Sequence, residues 1–182
     1  AGTVSSTLAD FPVCINLNTY ACSNDVDLRY VVSALGANSK KLAVTTADKI
    51  TQCYVEIERW DTSSNTAVLW TKLPSISSSA DTTFYLYFGS LATNNTSYVG
   101  DVGSTIGQKI WDSSYKGVYH LGQDPSGVAP QIKDSTSNAK NGTSAGSMTT
   151  GDLVTGDNIT GYGLDFDGSN DYIDIGDSFY SD

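Results

Sequence analysis

The sequence predicts an all-β protein built on a β-sandwich, and three observations carry that expectation. Apolar residues alternate in short bursts, each burst is bounded by clusters of Ser, Thr, Asn, Asp or Gly, and no window of helical length sustains a capped 3.6-residue period. Alternation punctuated by turn residues is what strands with one buried face produce.

In chain order, FPVCINL at 11–17 is the first strand, with Phe11, Val13, Ile15 and Leu17 on one face and Cys14 on the other. DLRYVV at 27–32 reads as a second. CYVEIERW at 53–60 turns Cys53, Val55 and Ile57 inward and Glu56 and Glu58 outward; AVLWTKL at 67–73 and TFYLYFG at 83–89 follow. In the last of these Phe84, Leu86 and Phe88 point inward, which turns Tyr85 and Tyr87 outward. The stretch SLATNNTSYVGDVGSTIGQKIW reads as a linker or short helix and places a module boundary near residue 100, giving modules 1–100 and 101–182. Beyond it the strand signals are GVYHL at 117–121, GLDF at 163–166 and YIDI at 172–175, the last two flanking DGSND as a hairpin loop.

Composition narrows the partners. The 182 residues carry 20 acidic against 10 basic side chains, a formal net charge of -10 and a pI near 4.2, so nucleic acid and anionic membranes are repelled. No apolar run approaches the ~18 residues that membrane insertion needs. Only 16% of residues are charged, while Ser and Thr supply about a quarter of the chain. The opening AGTVSSTLADF has neither a basic nor an apolar leader segment, as in a mature secreted chain. Of three cysteines, Cys53 sits on the Val55 and Ile57 face and is expected buried and reduced. Cys14 with Cys22 is the preferred disulfide, which implies an oxidising compartment. Asn-x-Ser/Thr patterns at Asn94, Asn95, Asn141 and Asn158 fit a secreted glycoprotein.

LADFPVCINL, DLRYVV, VEIERWD and FYLYFG, in that order, resemble a bacterial and archaeal family of extracellular domains of unassigned function. GVYHLGQDPSG, KDSTSNAKNGT and GLDFDGSNDYIDI resemble the beginning of a laminin-G-like, concanavalin A-like jelly roll. The resemblances imply a jelly-roll-like β-sandwich followed by a partial concanavalin A-like segment, in a modular, carbohydrate-facing, surface-exposed setting. A complete jelly roll of the second kind has about a dozen strands, so the apolar face of this segment must be covered by the first module, by further chain or by a neighbouring subunit.

Candidate chemistry is sparse. Glu56 and Glu58, two apart on a strand, lie about 7 Å from each other on one face. That falls between the ~5 Å and ~6.5–9.5 Å separations of retaining and inverting glycosidases, although a solvated acidic face is the blander expectation. Asp167, Asn170 and Asp171 lie in a Gly-containing turn that could offer oxygens to calcium, against the alternative that they cap their own backbone. His120, the sole histidine, is expected to be a hydrogen-bonded, partly buried strand residue. Tyr85 and Tyr87 form a stripe suited to a sugar ring or an interface. No phosphate-binding loop is present and no cofactor is required.

The expectation is therefore a non-catalytic extracellular structural protein on a cell or virion surface. It would be a subunit of a filament, sheath or virion whose strand edges are completed by copies of itself or neighbouring β-sandwich subunits. A glycan-binding adhesion module and, more remotely, a jelly-roll glycosidase are the alternatives.

Overall fold

The computed structural model describes residues 4–19, 26–155 and 161–176. In chain order the elements of the first part are β1 (Leu8–Leu17), α1 (Arg29–Leu35), β2 (Leu42–Thr46), β3 (Gln52–Cys53), β4 (Val55–Asp61), β5 (Thr66–Ile76), β6 (Phe84–Phe88) and β7 (Val99–Asp101). A 3-10 turn at Gly107–Ile110 leads into the second part, which holds β8 (Thr143–Ala145), β9 (Leu153–Thr155), β10 (Tyr162–Leu164) and β11 (Tyr172–Asp174). The fold is all-β, as the alternation predicts.

Two sheets form the sandwich: a four-stranded sheet in the order β1-β5-β4-β7 and a three-stranded sheet in the order β3-β2-β6. In the larger sheet the register aligns Val13, Thr71, Val55 and Val99 in one row across the strands, and Cys14, Trp70, Glu56 and Gly100 in the next. Because side chains alternate between faces, the first row faces the core and the second faces the opposite way. The core joins Leu17, Leu69, Val55 and Val99 of the larger sheet to Leu42, Val44 and Cys53 of the smaller, with Phe84, Leu86 and Phe88 packed beside them. Burial of this apolar surface is the main force holding the sheets together.

One expected strand is a helix. Residues 29–35 form α1, which buries Val31, Val32 and Leu35 in the sandwich core. Adjacent buried residues plus a third three positions on mark a helical face, whereas a strand would send Val31 and Val32 to opposite sides. Asp27 Oδ1 accepts the Arg29 N–H at 3.0 Å at the start of the helix. Gly36, at φ 55°, closes its other end, with its N–H donating to Val32 O at 2.8 Å. β2, the central strand of the smaller sheet, and β7, which pairs in parallel with β4, are strands the sequence reading did not mark.

The second part is less regular. GVYHL forms no strand; its segment is tied instead by Ser135 N–H donating to Val118 O at 2.8 Å. GLDF and YIDI do contain strands, but these do not pair as a hairpin: β10 pairs with β9 and β11 with β8, both antiparallel. Packing decides this. Ile173 of β11 lies over Gly142, where an added Cβ would stand 2.5 Å from the Ile173 Cγ2, so the missing side chain makes the seat for β11. Asp165 N–H meanwhile donates to Asp152 O at 2.8 Å and extends the contact of β10 with the β9 side.

A buried carboxylate organises this part. Asp134, fully buried, accepts four hydrogen bonds: from Val118 N–H (3.1 Å), Thr136 N–H (2.9 Å), Thr136 Oγ1 (2.9 Å) and Lys140 N–H (2.9 Å). The second part covers the outward face of the larger sheet, where the Arg59 guanidinium lies 4.1 Å from the centre of the Tyr162 ring.

Candidate functional site

Glu56 and Glu58 both leave the core on the outward face of β4, and a bulge between Ile57 and Arg59 shifts the strand's register against β5 at that point. They do not form a solvated acidic face. The segment from Trp111 to His120 folds over them, leaving the side chains of Glu56, Glu58 and His120 0%, 3% and 6% exposed. His120 sits between the two carboxylates, with Nε2 3.1 Å from Glu56 Oε2 and Nδ1 3.1 Å from Glu58 Oε2. Two indoles complete the set: Trp111 Nε1 donates to Glu56 Oε2 at 2.9 Å, and Trp70 Nε1 donates to Glu58 Oε2 at 2.6 Å. The rings pack on one another, Trp70 to Trp111 at 5.3 Å and Trp70 to His120 at 5.8 Å between centroids.

This geometry favours an imidazolium. Burial, the largest influence, pulls the His120 pKa down, but the hydrogen bonds it donates to Glu56 and Glu58 and their charges together outweigh it and raise it to about 9. With both ring nitrogens protonated each can donate to a carboxylate, which a neutral ring cannot do. The cluster is thus a charge clamp that fastens the segment after Trp111 to the sheet. Both carboxylates are enclosed and each places its Oε2 against His120. One lone oxygen remains: Glu56 Oε1 is buried with no hydrogen-bond partner, beside Gly107, whose added Cβ would lie 3.2 Å away.

The expected tyrosine stripe is present on the outer face of the smaller sheet. Tyr85 and Tyr87 lie 6.3 Å apart between centroids, but they are not equivalent. Lys49 Nζ covers the Tyr85 ring at 5.0 Å, while Tyr87 is 44% exposed and borders a concavity of about 380 Å³ with Lys41, Ala43, Gln52, Thr93, Asn94 and Asn95.

The Asp-rich turn is engaged with its own backbone. Asp167 Oδ1 accepts from the N–H groups of Ser169 (2.8 Å), Asn170 (3.1 Å) and Asp171 (3.4 Å). Asp171 in turn accepts from Asp167 N–H at 3.2 Å and Ser147 N–H at 3.0 Å. Among the described residues no group of three or more His, Cys, Asp or Glu is arranged to hold a metal ion.

Cys53 is a buried free thiol, and Cys14 a half-buried one; Cys22 lies outside the described residues. Burial, with the Glu58 charge, pushes the Cys14 thiol up to about 11. Asn94 is exposed. The Asn95 side-chain amide donates to Leu42 O (3.1 Å) and Gln52 Oε1 (2.9 Å), and Asn141 Oδ1 accepts from Asp134 N–H (2.9 Å). Asn158 lies outside the described residues.

Residues 38–113 match a domain of unknown function, DUF2341. The DUF2341-like stretch holds β2 to β7 and supplies Glu56, Glu58, Trp70 and Trp111 of the clamp, but ends before His120. No curated protein and no solved structure gives a significant match to the chain.

The sequence reading missed the clamp, although each member was visible in it. The signal lay in pairing the sole histidine with the two carboxylates of VEIERWD and the Trp at each end of the intervening chain. What hid it was 64 residues of separation between Glu56 and His120.

Proposed function

We propose that this chain is a non-catalytic subunit of an extracellular surface assembly such as a filament, sheath or virion, in which neighbouring copies complete its second part by adding strands. Residues 101–182 are then a partial concanavalin A-like, laminin-G-like segment laid on a DUF2341-like sandwich.

The observation that carries this reading is the edge of β11. Among the described strands β11 is paired on one side only, by β8, and both strands are three residues long. A two-stranded sheet is marginal by itself, and an open edge presents backbone groups that another strand can pair. Apolar surface flanks the edge: Tyr172 is 56% exposed, with Ile175 and Phe166 also exposed. The enclosure of Glu56 and Glu58 supports a role in contact rather than hydrolysis.

The test is the mass in solution, by light scattering across a concentration series, against the 19.3 kDa of one chain. Oligomers or polymers are expected, and Tyr172→Lys, which places a charge on the β11 edge, is expected to return them to monomer. A monomer at every concentration sinks the proposal, as does an oligomer indifferent to Tyr172→Lys.

A further inference from the structure

On the face of the molecule that the assembly reading does not use, the outer side of β2, β3 and β6 exposes Gln52 and Tyr87, while Thr45 is buried between its neighbours. The register sets Ala43 opposite Tyr87, and Thr45 between Gln52 and Tyr85. Ala43 projects only a methyl group where its neighbours project longer side chains, so a hollow of about 380 Å³ opens beside Tyr87. The chain at 92–95 forms its other wall.

We infer that this hollow is a binding subsite for a neutral saccharide, one or two rings of a glycan chain. The lining has the two chemistries a sugar ring requires. Tyr87 offers an aromatic face against which the C–H face of a pyranose can stack. Gln52, Thr93, Asn94 and Asn95 offer amides and a hydroxyl for the ring's hydroxyl groups. The polar wall is held in place before any ligand arrives: Asn95 Nδ2 is fixed between Leu42 O and Gln52 Oε1, which leaves Asn95 Oδ1 as an acceptor and Gln52 Nε2 as a donor. A polar pair locked by its own hydrogen bonds loses little freedom on binding. The volume falls at the small end of the ~300–1,000 Å³ range of ligand sites, which suits one or two sugar rings rather than a folded partner.

Charge chooses the class of sugar. The chain carries a net charge of -10, and the one cation bordering the hollow, Lys41, donates its ammonium to Ser90 O at 2.9 Å. An anionic sugar would meet the protein's negative field without a committed counter-charge, whereas a neutral one meets only amides, a hydroxyl and a ring.

Saturation-transfer NMR with cellobiose, mannobiose, lactose and N,N′-diacetylchitobiose as probes, and digalacturonate as the charged control, tests the site. It reads the ligand and works whether the chain is a monomer or an assembly, so it is independent of the oligomer reading. The expected result is saturable transfer to at least one neutral disaccharide with millimolar affinity. It should weaken at least about tenfold in Tyr87→Ala and in Ala43→Leu, which fills the hollow, and persist in Tyr85→Ala. Unchanged thermal midpoints in the variants show that the fold survives. Absence of transfer to every neutral probe overturns the inference, and so does transfer that survives both Tyr87→Ala and Ala43→Leu or a preference for digalacturonate.

Discussion

His120 Nε2 stands 3.1 Å from Glu56 Oε2 across 64 residues of chain, with the carboxylate fully buried and the imidazole nearly so. The stability of that contact depends on a proton. The His120 pKa is raised from 6.5 to about 9 in the folded chain, so its contribution is complete below about pH 6.5 and is lost as pH rises through about 9. Its size is on the order of 3 kcal/mol. Thermal unfolding scanned from pH 6 to 10 should show a falling midpoint in the parent chain, and no such fall attributable to this site in His120→Gln.

His120→Gln should itself be costly at neutral pH. It leaves two carboxylates enclosed without their cation, and removing one partner of a buried ion pair costs about 3–5 kcal/mol. The companion variant Glu56→Gln/Glu58→Gln/His120→Gln, which removes all three charges, should recover part of the loss in urea denaturation. Equal instability in the triple variant would mean that packing, not charge, makes the contact.

Gly107→Ala should destabilise through overlap. The added Cβ would come 2.5 Å from Asp101 O and 3.2 Å from Glu56 Oε1, so the 3-10 turn must shift, at a cost of about 1–3 kcal/mol. A urea midpoint equal to that of the parent would show that the turn moves freely.

Asp134→Ala strips four donors of one acceptor in a buried setting. A loss of about 3 kcal/mol or more is expected, together with faster hydrogen exchange at the amides of Val118, Thr136 and Lys140. Exchange confined to other segments would contradict the role given to this carboxylate.

In a Cys22→Ser chain the remaining thiols, Cys14 and Cys53, should react slowly with a disulfide reagent at pH 8 and rapidly once unfolded. Burial raises both pKa values and leaves little thiolate. Fast labelling of the folded protein would refute the placement of these side chains.

The sandwich was legible because most of its strands alternate: Val13, Ile15 and Leu17, Val55 and Ile57, and Phe84, Leu86 and Phe88 all pack in the core as expected, whereas Phe11 is exposed and the bulge after Ile57 brings Trp60 to the core as well. α1 was misread because Arg29, Val31 and the residues between them alternate over too short a span to separate two periods, and Gly36, its stop signal, was not weighed. β2 escaped because LAVTT is brief and adjoins loop-like residues. The small sheets of the second part escaped for another reason: β11 pairs with β8 over the Gly142 seat under Ile173, a contact that no local pattern encodes. The same limit applies to the clamp, where the chemistry sat in plain residues and only the fold brought them together.

The larger sheet has no idle side. Its inward row of Val13, Thr71, Val55 and Val99 packs in the sandwich, and on its outward row Trp70 and Glu56 lie beneath Trp111 and His120. Two layers that share one wall are expected to melt as a single cooperative unit, with one calorimetric transition instead of two. A chain cut after residue 100 would then be no free-standing piece, but a sandwich with an indole bared and two acids stripped of their cation.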